Sequence, residues 1–312
     1  MNAVGAGVGK WLSNLGGVAT WIPAGILVGL GAVAYARFGP ATPITPSTLL
    51  PRFDFDHALL WSTIAFGFAG LEAASLMGDE IEDARRTVPR AIVLGGISIA
   101  AIYILGTLAI LVALPAQDVS GLAGILQAID HIGVITGFRA VTPAMALLVA
   151  LGSLGGVSAW LSSTARLPFV AGIDRYLPPA FGRLHPKWGT PHVALATQAA
   201  AAALVAVLGQ AGASVKGAYD ALVAMGVITY FIPYLVLFAA YARMKGDLRT
   251  PGGRPVVLVV SALGGATTLI ALLLAAVPPA DAPDKALAIA KVVGGSAVLA
   301  VVGAVLFARR RG

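Results

Sequence analysis

The chain contains no cysteine and very few charges, and each scarcity excludes a class of protein. With no Cys among 312 residues, disulfides, a thiolate nucleophile and any zinc site built on Cys are ruled out. Charged residues make up only 11%, against roughly 25% in an ordinary soluble domain. A soluble fold of this length needs more polar surface to face water, whereas lipid accepts Leu, Ile, Val and Ala on the outside. The four histidines, His57, His131, His185 and His192, fall in predicted loops or at span ends without ligand spacing, so no metal site is expected. No His-Glu-x-x-His and no Ser/His or paired-Asp arrangement at one membrane depth is present, which argues against an enzyme. The glycines before Lys10 mimic a phosphate loop, but Val4 stands where that pattern needs Gly and Trp11 where it needs Ser or Thr, so no nucleotide cofactor is expected. Lys10 precedes an apolar stretch too long for a signal-peptide core, and no cleavage pattern follows it.

What the chain does have is apolar length. Hydrophobic residues make up 58%, and about 20 apolar residues suffice for a helix to cross the hydrocarbon core. The sequence predicts eight spans, at 15–36, 57–78, 91–114, 139–165, 191–210, 218–242, 255–278 and 286–308. The expected fold is therefore all-α, a polytopic helix bundle forming a single transmembrane domain over 1–312. Strands of a membrane barrel would alternate in hydrophobicity over about ten residues, and these runs do not.

The net charge of +7 forms no basic face interleaved with aromatics, so nucleic acid is not an expected partner. The 21 Lys and Arg residues fall between spans or at their ends. Fifteen occupy one alternating set of loops: Lys10; Arg85, Arg86 and Arg90; Arg166, Arg175, Arg183 and Lys187; Arg243, Lys245, Arg249 and Arg254; and Arg309 to Arg311. The other loops hold six, Arg37, Arg52, Arg139, Lys216, Lys285 and Lys291. The positive-inside bias then predicts that both termini face the cytoplasm.

Ionisable groups inside a membrane are costly and mark cavities or ion paths. One acid falls well within a predicted span: Glu72, in Phe66-Gly67-Phe68-Ala69-Gly70-Leu71-Glu72. It reads either as a carboxyl bonded at a helix interface or as the protonatable group of a proton-coupled carrier. The flanking Gly67 and Gly70 likewise admit two readings. A helix broken at mid-membrane leaves carbonyls for an ammonium and amides for a carboxylate. The alternative is close packing through small residues, the reading given to Gly25/Gly29 and Gly152/Gly156. Ser158 and Ser162, one turn apart, suit a sodium site less well than hydroxyls bonded to carbonyls one turn back. The run from Asp79 to Arg90 reads as a cytoplasmic loop, its charges either paired to hold an inward gate or forming a solvated face.

Two segments resemble the amino acid permeases of the amino acid–polyamine–organocation (APC) superfamily. The first joins Phe66–Glu72 to Gly78-Asp79-Glu80-Ile81-Glu82-Asp83-Ala84-Arg85-Arg86-Thr87-Val88-Pro89-Arg90. It is similar to the family's sixth helix and the loop after it. The second runs from Ser163-Thr164-Ala165-Arg166 through Asp174-Arg175-Tyr176-Leu177-Pro178 to His185-Pro186-Lys187-Trp188-Gly189-Thr190-Pro191, similar to the end of the eighth helix and its following loop. The resemblance implies an inverted-repeat, leucine-transporter-like fold entered at its fifth helix, so that the eight spans match helices five to twelve. It also implies secondary transport of amino acids or organic amines across the cytoplasmic membrane, proton-coupled or by exchange. Substrate binding then falls to Phe66, Gly67, Phe68, Ala69 and Gly70, with the Phe66 and Ala69 carbonyls toward an ammonium. Glu72 becomes the proton-coupling residue, and Tyr219 and Tyr230 a gate. The alternative it raises is a truncated, non-transporting permease, or one half of a split carrier that needs four further helices from a partner chain; a homodimer is a further expectation.

Overall fold

The computed structural model describes residues 6–50, 54–121, 123–210, 214–244, 253–278 and 284–309, and only the backbone at 6–8, 56, 77, 79, 80 and 309. Among the described residues every regular element is helical. In chain order the main ones are α1 (Ala6–Phe38), α2 (Pro46–Leu49), α3 (Phe55–Gly67), a 3-10 helix (Leu71–Glu80), α4 (Ala84–Ala113), α5 (Gly124–Thr136), α6 (Thr142–Thr164), α7 (Arg166–Ile173), α8 (His192–Gln210), α9 (Val215–Arg243), α10 (Gly253–Ala275), α11 (Lys285–Ile289) and α12 (Gly295–Arg309), with short 3-10 turns at Ala116–Asp118, Arg139–Val141 and Pro179–Gly182. Among the described residues eight segments are long and apolar enough to cross a membrane: 9–38, 57–76, 84–113, 139–173, 192–210, 215–243, 253–275 and 285–308. They coincide with the eight predicted spans. Of the basic residues, Arg52, Lys245, Arg249, Arg310 and Arg311 lie outside the described residues.

The chain divides into two compact units, Met1–Leu50 with Gly70–Ala201, and Pro51–Ala69 with Ala202–Gly312. In the first, α1 and α6 meet backbone to backbone. A Cβ added to Gly155 would lie 2.3 Å from the Gly16 Cα, and one on Gly152 would lie 2.6 Å from Thr20 Oγ1. Gly31 is seated equally closely on Ala109 of α4. Lipid offers no hydrophobic drive between helices, so such close approach supplies the packing energy. The sequence reading assigned this role to the wrong glycines in part: Gly152 fulfils it, while Gly25, Gly29 and Gly156 face open space. A spacing of four identifies a helical face but not which face meets a neighbour.

The core of this unit joins Leu27 and Ala34 of α1, Ala109 and Val112 of α4, and Ala128, Ile129 and Ile132 of α5. α5 is not among the predicted spans, because its 13 residues fall short of the length that crosses a bilayer. His131 therefore sits on a helix, not in a loop. Beyond α1 the chain turns at Gly39, with φ +75°. The N–H groups of Ala41 and Thr42 then donate to the Val112 and Leu111 carbonyls at 3.0 and 2.9 Å. Carbonyls at the end of α4 that lack an intrahelical donor are satisfied in this way.

In the second unit α9 and α10 pack through Phe238, whose ring lies so close to Gly264 that an added Cβ would be 2.4 Å from it. Val227, Ile228 and Phe231 of α9 form the core with Ala271 and Ala275 of α10 and Val292. A π-helical turn, Ala290–Gly294, links α11 to α12. Lys291 lies inside this last span rather than beside it, which corrects its placement in a loop. Its ammonium is half-buried and lies 3.5 Å from the Gly209 carbonyl at the end of α8. A long side chain reaching the negative end of a helix explains how the membrane accommodates it.

Candidate functional site

The second predicted span is two helices, not one. The Asp54 carboxylate starts α3 by accepting the His57 backbone N–H at 2.9 Å, a standard N-cap. The helix tightens as it ends: the Phe68 N–H donates to the Ala65 carbonyl at 3.2 Å and the Ala69 N–H to the Phe66 carbonyl at 2.9 Å. Gly70 then adopts the left-handed conformation, φ +101° and ψ −11°, which glycine enters without a Cβ penalty. A 3-10 helix follows, and the Ala73 N–H donates to the Gly70 carbonyl at 3.1 Å. Of the two readings of Gly67 and Gly70, the broken helix is the one found, near the middle of the span 57–76.

Glu72 is half-buried, and its Oε2 accepts the Gly70 N–H at 3.1 Å. A carboxylate at the first turn of a helix meets free amides and the positive end of the dipole. The Phe66 carbonyl is not bare, because it already accepts the Ala69 N–H.

Each half of the break has its own wall. The Phe66 ring lies over Gly226 of α9, where an added Cβ would be 3.1 Å from Cζ. It meets Tyr230 edge-on at 6.0 Å and Phe231 at 6.3 Å. The aromatic series continues along α9 through Tyr234, 5.5 Å from Tyr230, to Phe238, 6.5 Å from Tyr234. Tyr230 thus joins Phe66, whereas Tyr219, 49% exposed, lies about three turns away on the same helix. On the other half, Gly70 faces the six-membered ring of Trp160 on α6, with 2.8 Å between an added Cβ and Cζ2. Leu71 is seated against Gly95 and Gly96 of α4. Gly226, Phe231 and Trp160 escaped the sequence reading. A tryptophan inside an apolar span was the one visible signal among them.

The remaining candidates divide clearly. Near the suggested sodium pair, Ser163 and Thr164 donate to the Ala159 and Trp160 carbonyls one turn back, at 3.0 and 2.6 Å. Ser158 is buried, and the Ser162 carbonyl accepts the Arg166 guanidinium. Among the described residues no group of three His, Asp or Glu could hold a metal. In the run 79–90, α4 begins already at Ala84, so Arg85, Arg86 and Arg90 are helical. The Asp83 carbonyl accepts the Arg86 and Thr87 N–H groups. The side chains of Asp79 and Glu80 lie outside the described residues. The second family-like segment folds on itself: the buried Thr190 carbonyl accepts the His185 and His192 N–H groups, both at 2.8 Å, and His185 stacks on Trp188 at 4.3 Å.

Comparison with known proteins agrees with this architecture. The chain is 26% identical over 91% of its length to an uncharacterised transporter of Legionella pneumophila, covering 63% of that protein. It is 25% identical over 86% of its length to a probable agmatine/putrescine antiporter of Lactococcus lactis, covering 59% of it. A glutamate/gamma-aminobutyrate antiporter of the same species is 26% identical over 83% of the chain, with 54% of the antiporter covered. The chain thus spans little more than half the length of these relatives. The family profile described as amino acid permease matches residues 1–303, and the chain therefore belongs to the amino acid permeases of the APC superfamily.

Proposed function

We propose that the protein carries an amino acid or a related organic amine across the cytoplasmic membrane, by proton coupling or exchange and without catalysing a reaction. The observation that carries this reading is the mid-span break at 67–70 with the Glu72 carboxylate on the Gly70 amide. Interrupted backbone is tolerated at membrane depth where it lines a cavity or meets a ligand. The carbonyl end of α3, at Phe66 to Ala69, suits an ammonium. The Gly70 amide suits an anion, and Glu72 fills that role until it is protonated. A carboxylate that changes partner on taking up a proton is what coupling to a proton gradient requires. Relatives described as antiporters of agmatine/putrescine and of glutamate/gamma-aminobutyrate support a small amine or amino acid as substrate. Phe66, with Tyr230 beside it, covers the upstream side of this segment.

Thr87 then lies on the cytoplasmic side with both ends of residues 1–312, and Ser214 on the outer side. The absence of cysteine makes the orientation easy to test. A single Cys at Thr87 should react only with a permeant maleimide in whole cells, and one at Ser214 also with an impermeant one. Transport itself is tested in liposomes loaded and bathed with labelled amino acids and polyamines, chosen by a thermal-shift screen of the purified protein. Uptake or exchange of a compound that also raises the melting temperature is the expected result. Absence of flux for every compound that binds would end this reading.

A further inference from the structure

We propose that Trp160 is a positioning residue for the break: its six-membered ring closes the open face of Gly70 and so holds the turn in which the Gly70 N–H meets the Glu72 carboxylate. The inference rests on the reading of Glu72 as the coupling group, but its geometry is independent of that reading. Glycine crosses between left- and right-handed conformations at little cost, so a turn depending on one glycine needs an outside restraint. Three atoms of one ring edge provide it. A Cβ on Gly70 would lie 2.8, 3.3 and 3.7 Å from Trp160 Cζ2, Cη2 and Cε2.

The wall behind that ring is firm. Five residues before Trp160, Gly155 meets the Gly16 backbone, and Gly152 meets Thr20. Five residues are about 140° around a helix, so α6 turns its glycine face to α1 and its indole to the break. Glu72 holds the same peptide through the Gly70 N–H at 3.1 Å. The ring and the carboxylate therefore grip one turn, and loss of either should devalue the other.

The test is a double-mutant cycle on the purified protein, read as apparent melting temperature, with Trp160→Leu, Glu72→Ala and the pair. Groups sharing one turn give non-additive effects: the second substitution should add less than about half of its shift alone. Full additivity would overturn the proposal. Should Trp160→Leu not fold, Trp160→Met, which also lacks a ring, completes the same cycle. In liposomes Trp160→Leu should lower the maximal rate on the order of tenfold with KM changed less than about twofold, and Trp160→Phe, which keeps a six-membered ring, should restore most of the rate. Equal losses in both variants would count against positioning. If the unsubstituted protein moves no substrate, the transport reading fails while the melting cycle still decides the role of Trp160.

Discussion

The two halves of the broken helix are built on opposite plans. Upstream, α3 is a regular α-helix whose N-terminus is capped by Asp54. Its Phe66 projects from the broken helix onto a glycine in the wall, Gly226. Downstream the plan is reversed: the broken helix supplies the glycine, Gly70, and the wall supplies the aromatic, Trp160. The halves also belong to different compact units, parting between Ala69 and Gly70. The downstream half is ten residues of 3-10 helix, a geometry with poorer hydrogen bonds that seldom exceeds about 3–4 residues. Such segments come from the low-stability end of a protein, where functional movement occurs. Each half is held within its own unit: α3 packs against α9 and α10, and the 3-10 helix against α4, α6 and α7.

Substitutions can break this contrast, and the largest effect should come at the turn. Gly70→Ala combines a left-handed backbone with a Cβ at 2.8 Å from the indole, and should cost about 2–4 kcal/mol and abolish transport; unfolding and flux measurements check both. Gly226→Ala presses on the Phe66 ring at 3.1 Å, and should cost about 1 kcal/mol with a raised KM. If Gly226→Ala proved the more damaging, the break would depend on its upstream contact and not on the turn at Gly70. Asp54→Ala removes the α3 N-cap and should cost about 1 kcal/mol in thermal unfolding without altering KM. Gly156→Ala, on the same helix as Trp160 but facing open space, should be neutral or stabilising by up to about 1 kcal/mol. A loss at Gly156 would mean that the wall is sensitive everywhere rather than at its contacts.

Span number and limits were legible because membrane crossing demands length and apolarity, both of which a linear window reads. The break was legible as one of two readings, since Gly67 and Gly70 lower helix propensity in any context. Which glycines pack was not. Gly16 and Gly155 meet while Gly25, Gly29 and Gly156 do not, a matter of three-dimensional partners that spacing cannot name. The helix α5 fell below the window length, and its burial at Ala128 and Ile132 depends on neighbours from α1 and α4. Glu72 was found by its cost in lipid, but its bond to Gly70 two residues back requires the left-handed turn. Trp160 was not legible as part of the break, because its contact lies 90 positions away along the chain.

The central claim is that Glu72, bonded to the amide of the break, links proton movement to substrate movement. Substrate-driven proton flux in liposomes, compared between the unsubstituted protein and Glu72→Gln, tests it most directly. The account predicts that Glu72→Gln still gives a substrate-induced thermal shift but loses proton flux on substrate addition. Proton flux equal in both proteins would contradict it.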